Sequence, residues 1–112
     1  MLKRYIIERK VPKVGERSMK DFSDMAEKSN EALHVLGSEI QWVKSYVTDD
    51  KIFCEYLAEN EGLVREHARL GGFPADNIFI VKKVLDPTTA KEDMGKFRPD
   101  SILNDQKRSL NS

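Results

Sequence analysis

Two histidines, one cysteine and one candidate charge pair hold most of the chemistry that this 112-residue chain offers. His67 lies in Val64–Asp76, "VREHARLGGFPAD", one turn before Gly71-Gly72. An imidazole there can ligate a transition metal or act as a general base. It can equally hydrogen-bond a backbone carbonyl or Ser45, or favour the C-terminal end of its helix. Cys54 is the single cysteine, which excludes an intramolecular disulfide and a cysteine-based zinc knuckle. It is a soft metal ligand or a reactive thiol if His67 reaches it, and otherwise a small buried hydrophobe. No Cys-His-Asn protease signature surrounds it. His34 reads as exposed or semi-exposed near a helix end, and Arg65, Glu66 and Arg69 as a solvated helix face. Asp49-Asp50 are adjacent carboxylates, but they sit in a turn. "RLGGFP" follows a helix rather than opening one and lacks a Lys-Ser/Thr pair, so it is not a phosphate loop.

The elements that position these residues follow from periodicity and punctuation. "LKRYIIER" alternates and is rich in Tyr and Ile, a first strand stopped by Pro12 and Gly15. Ser18, with Asp21 three residues on, is an N-cap, and Phe22, Met25, Ala26, Ser29, Leu33 and Leu36 follow at helical spacing up to Gly37. "EIQWVKSYV" and "IFCEYLA" are two strands around "TDDK". A two-residue Asp49-Asp50 loop sets Tyr46 against Phe53, Lys44 against Glu55 and Ser45 against Cys54. Strict alternation puts Ile40, Trp42, Lys44 and Tyr46 on one face and Gln41, Val43, Ser45 and Val47 on the other. Asn60 caps a second helix through Leu70, with Leu63, Val64, His67 and Ala68 on one side, and Pro74 prevents its restart. "NIFIVKKVL" is a fourth strand. The folded domain runs over residues 1–89, and 90–112 form a polar tail, mobile or loosely docked.

This order is the ferredoxin-like β-α-β-β-α-β pattern, an α+β fold with a four-stranded antiparallel sheet and both helices on one side. The other side is bare. With Trp42, Tyr46 and Phe53 on it, that side is too apolar for a monomer, and two sheets packed face to face in a homodimeric α/β barrel would cover it. Lys44 and Glu55 are then either a cross-strand ion pair or polar groups of a ligand pocket. The aromatic residues are either dimer core or the pocket's wall.

The bulk composition narrows the classes. The 19 basic and 19 acidic residues cancel and are scattered, which argues against a nucleic-acid surface. No apolar run is long enough to span a membrane, and the opening "MLKRYIIERK" is too short in its apolar part for a signal peptide, so a cytoplasmic protein is expected.

The runs "IQWVKSYVTDDKIFCEYLAENE", "VREHARLGGFPADNI" and "DPTTA", with the opening "KRYIIERKVP", together resemble a bacterial domain-of-unknown-function family that includes a small nickel-binding protein. The resemblance covers roughly Leu2 to Thr89. It implies a ferredoxin-like chain, a dimeric α/β barrel, and nickel or another divalent transition metal as a cofactor, with His67 and Cys54 as candidate ligands. A nickel site on N and O donors wants several imidazoles, or imidazoles with carboxylates. Where a second histidine would be expected this chain has Lys44, whose ammonium is no ligand. The reading favoured by the sequence is a small homodimeric protein binding a metal or a small ligand, with Trp42, Lys44, Ser45, Tyr46 and Glu55 around the ligand. The alternative is a cofactor-free enzyme of the dimeric barrel type, monooxygenase- or isomerase-like, with His67 as base and Tyr46 or Lys44 orienting the substrate. A purely structural association module is the third class.

Overall fold

Strand β1 (Lys3–Lys10) alternates as the sequence requires: Tyr5, Ile7 and Arg9 are buried, while Lys3 and Lys10 at its ends are exposed. The remaining elements are α1 (Met19–Leu36), β2 (Ile40–Val47), β3 (Lys51–Ala58), α2 (Glu61–Gly71) and β4 (Asn77–Ile80). The structure, a computed structural model, describes residues 1–90. The sheet order is β2-β3-β1-β4, with every neighbouring pair antiparallel. The fold is therefore the expected ferredoxin-like α+β arrangement.

Both helices begin at capping residues. Ser18 Oγ accepts the Asp21 N–H at 3.2 Å, and Asn60 Oδ1 accepts the Leu63 N–H at 3.0 Å, each cap being worth about 1 kcal/mol. Gly37, at φ +84°, closes α1, and its N–H bonds the Leu33 carbonyl. Between β1 and α1 a single 3-10 turn at Val14–Glu16 buries Val14 completely. Gly15 lies so close to the β2–β3 hairpin that a Cβ would stand 2.8 Å from the Thr48 carbonyl oxygen. Asp50 Oδ1 accepts the Lys13 N–H at 2.9 Å, so one of the paired turn carboxylates secures this junction.

The Asp49-Asp50 loop gives the register expected from it: Lys44 opposite Glu55, Ser45 opposite Cys54, Tyr46 opposite Phe53. Beyond Lys44 the ladder shifts, with Trp42 opposite Tyr56 and Val43 bulged out. This corrects the strict alternation. The extra residue leaves Trp42 on the helix-covered side with Ile40, Ser45 and Val47, whereas Lys44 and Tyr46 turn to the uncovered side. Strand β4 is also shorter than "NIFIVKKVL". Ile80 already pairs with Tyr5 and the Val81 N–H bonds the Arg4 carbonyl at 2.8 Å, so β1 has almost no backbone left to pair.

Under the helices the core gathers Tyr5, Ile7, Ile40, Tyr56, Ala58 and Val64, with Leu33, Leu36 and Leu63 packed against it. Met1–Lys82 form one compact unit, and the described residues from Lys83 onward belong to a second. In the described part of that second unit, Asp86 Oδ1 accepts the Thr88 N–H at 2.8 Å in a local turn. The expected polar tail lies outside the described residues from 91 onward. Among the described residues, no helix is long and apolar enough to cross a membrane.

Candidate functional site

The last turn of α2 arranges the side chains around His67. Gly72, at φ +72°, reverses the chain, and the Phe73 N–H returns to the Ala68 carbonyl at 2.9 Å. Gly71 has no Cβ because one would run into the Phe73 ring. Phe73 therefore folds back, stacking on His67 at 6.0 Å between centroids and covering the Arg9 guanidinium at 5.4 Å.

His67 is fully buried. Its Nε2 lies 3.1 Å from Ser29 Oγ on α1, and its ring tilts against Tyr56 at 4.9 Å. Nδ1 is buried with no hydrogen-bond partner among the described residues. Burial, reinforced by the charge of Arg9, pushes the imidazole down to about 4, against an upward pull from the contact with Ser29. The ring is thus neutral at pH 7. Its partner is Ser29, not Ser45 as one sequence reading had it.

From Arg9 a continuous polar line crosses the covered side of the sheet. The guanidinium donates to Cys54 Sγ at 3.5 Å, to the Tyr56 hydroxyl at 3.3 Å and to the Pro74 carbonyl. Ser45 Oγ donates to Cys54 Sγ at 2.9 Å and accepts from Trp42 Nε1 at 2.9 Å. Tyr56 is pushed up to about 12, mainly by burial and then by Cys54, so its phenol keeps its proton at neutral pH. Above this line lies a chamber of about 580 Å³. Its floor is Arg9, Ser45, Cys54 and Tyr56. Its walls are Phe22, Met25 and Ala26 of α1, with Ser29 behind them, and Trp42, Ile52 and Phe73. Phe22, Met25 and Ala26 in the first half of α1 are half-buried beside the chamber, while Leu33 and Leu36 further along pack against the core.

The expected site residues divide between the two sides of the sheet. Trp42, Ser45 and Cys54 line the chamber. Lys44, Tyr46 and Glu55 lie on the uncovered face. Lys44 does not pair with the Glu55 opposite it; Arg4 takes Glu55, and the Lys44 ammonium sits over the Tyr46 ring at 5.5 Å. The trio His67, Lys44 and Tyr46, expected for the enzyme reading, is therefore not brought together. Arg9 is the residue that the sequence reading missed. Its signal is the strand pattern Tyr5-x-Ile7-x-Arg9, a charge on the apolar side of an alternating strand.

No curated protein matches this chain. The family model described as "Nickel responsive protein SCO4226-like" matches residues 5–81. The chain belongs to that family. The crystal structure of SCO4226 from Streptomyces coelicolor A3(2) superposes with a TM-score of 0.59 at 13% identity, over 73% of this chain and 99% of that one. At that identity the likeness concerns the fold.

The family's description raises nickel, and the donor set can be tested against it. Among the described residues no three His, Cys, Asp or Glu side chains converge. His67 offers one unpartnered nitrogen, but Cys54 already accepts hydrogen bonds from a guanidinium and a hydroxyl. A fixed cation beside the sulfur opposes a dication there. His34, the other imidazole, is exposed on α1. His67 and Cys54 do not by themselves make a nickel site.

Proposed function

We propose that this member of the nickel-responsive family is a homodimeric binding protein whose ligand is a small organic molecule held between α1 and the covered side of the sheet. One observation carries the reading: the chamber of about 580 Å³, walled by apolar side chains with a few hydrogen-bonding groups on its floor. That size and lining are those of small-molecule sites. Trp42, the chain's single tryptophan, lines the chamber and reports on it. Titration with 8-anilinonaphthalene-1-sulfonate should give saturable energy transfer from Trp42, lost in Ala26→Phe, which fills the wall. Absence of saturable transfer in the folded wild type would refute the reading.

The second copy belongs on the uncovered face. Tyr46 and Phe79 are 56% and 54% exposed there. The same face carries both signs of charge in the Arg4–Glu55 and Lys51–Glu8 pairs. A patch of this kind suits a twofold partner presenting the same surface. Sedimentation should find a dimer that Phe79→Asp dissociates; a wild-type monomer at micromolar concentration would remove the dimer from the proposal.

For nickel, the donor chemistry leads to a definite expectation. Tag-free protein should show no stoichiometric nickel binding that depends on His67. Tight binding lost in His67→Ala would replace the organic ligand with the metal.

A further inference from the structure

We infer that the chamber selects anionic amphiphiles, molecules with one carboxylate on an apolar body, and that Arg9 is the residue that receives the carboxylate. This rests on the chamber being a ligand site. Arg9 is 3% exposed, yet it forms no ion pair with any described residue. Its acceptors are a thiol sulfur, a phenol oxygen and a backbone carbonyl, none of them a carboxylate. A guanidinium has five N–H groups, so three donated bonds leave two, one on each Nη, without an acceptor among the described residues. A buried, permanently charged group without a counter-charge is unfavourable, and a ligand that brings the missing charge recovers that cost on binding.

The nearby acids do not supply it. Asp21 and Asp24 on α1 border a second recess that Arg9 also touches, but neither pairs with it, and Asp24 is engaged by Lys20 at 3.2 Å. The two sides of the chamber then define the ligand. Arg9 and Tyr56 lie on its buried floor, where Tyr56, with its proton retained, is a second donor for an oxyanion. Towards solvent stand Met19 and Val47, 79% and 44% exposed. The carboxylate enters first and the apolar body trails towards Met19 and Val47. The planar fork of an arginine suits a carboxylate, and each Nη of Arg9 keeps one N–H beyond its one acceptor among the described residues.

The test is a headgroup series on the full chain at neutral pH: decanoate, decanol and decylamine, followed by calorimetry and by Trp42 fluorescence. Decanoate should bind about tenfold or more tighter than decanol, with decylamine weakest. In Arg9→Gln the preference for decanoate over decanol should fall to about twofold or less. Because Arg9→Gln alters a buried position, a second readout uses wild type alone. The Arg9 Nη–H resonances should move on saturation with decanoate and stay in place with decanol. Equal affinity for decanol and decanoate overturns the inference while leaving the chamber a ligand site. A preference that survives in folded Arg9→Gln, or an unmoved Arg9 resonance, overturns the assignment to Arg9. If none of the three binds, the ligand-site reading fails and the inference with it.

Discussion

Arg4 and Arg9 stand on the same strand, five residues apart and hence on opposite sides of the sheet. Arg4 faces the uncovered side and pairs with Glu55. Arg9 faces the helices and pairs with no carboxylate among the described residues. The carboxylates of the uncovered face are matched by donors: besides Glu55, Glu8 accepts from both Asn77 and Lys51, and these bonds hold its carboxyl below the usual range. On the covered side the perturbations arise from burial instead, which lowers His67 and raises Tyr56. One face matches its carboxylates with donors from neighbouring strands, whereas the other buries a guanidinium that has no carboxylate partner among the described residues.

The largest effect that this contrast predicts is with pH. His67 falls from about 6.5 in the unfolded chain to about 4 when folded, so between those values the unfolded state holds the extra proton. Its neutral, buried form is fully favourable above pH 6.5, and the stability is lost as pH falls through that window towards 4. The shift corresponds to about 3 kcal/mol. Urea denaturation from pH 7 to pH 4 should show this loss, and His67→Phe should flatten it. An unchanged slope in a folded His67→Phe would place the acid sensitivity elsewhere.

Next is Gly71→Ala. The added methyl meets the Phe73 ring, which is held between His67 and Arg9 and has little room to yield. A loss of about 1–3 kcal/mol is expected, as for overpacking. Gly62→Ala, on the first turn of the same helix, should cost less, because its Cβ meets only the side-chain oxygen of Asn60, at 3.1 Å. Similar melting temperatures for the two variants would show that Phe73 gives way.

How much of this was legible depends on the kind of signal. Ser18, Gly37, Asn60 and Gly71-Gly72 mark helix ends through local chemistry, and the two-residue Asp49-Asp50 loop fixes three cross-strand pairs without tertiary information. The bulge at Val43 was not legible, since nothing about a valine announces that it will sit outside the ladder. One residue of shift moved Trp42 away from Lys44 and Tyr46 and divided the expected site. Lys44 and Glu55 were placed correctly opposite one another, yet the pair did not form, because a third strand supplied Arg4. Arg9 was visible in the alternation of β1 but is easily passed over, as a lysine or arginine near a strand end ordinarily reaches solvent.

The two arginines should also respond with opposite signs. Arg9→Met removes a buried charge that has no carboxylate partner among the described residues and keeps most of the side-chain volume, so the ligand-free protein should gain about 1 kcal/mol while losing its preference for carboxylates. Arg4→Met leaves Glu55 without its partner and should lose about 1 kcal/mol. Chemical denaturation of both variants measures the difference directly. Destabilisation by both would mean that the neutral acceptors around Arg9 already compensate its charge.

The smallest effect tests whether the sheet really separates the two sites. Lys44 lies over an exposed Tyr46, where a cation–aromatic contact is worth about 0.5–1 kcal/mol. Lys44→Ala should therefore cost no more than that, and it should leave decanoate affinity unchanged, because the ammonium is on the far side of the sheet from the chamber. The charge it removes is the same as in Arg9→Gln, so a general effect of net charge on binding an anion would weaken decanoate similarly in both variants. Local recognition by Arg9 instead weakens it in Arg9→Gln alone. Calorimetric titration of the two variants side by side decides between a field of charge and a single guanidinium.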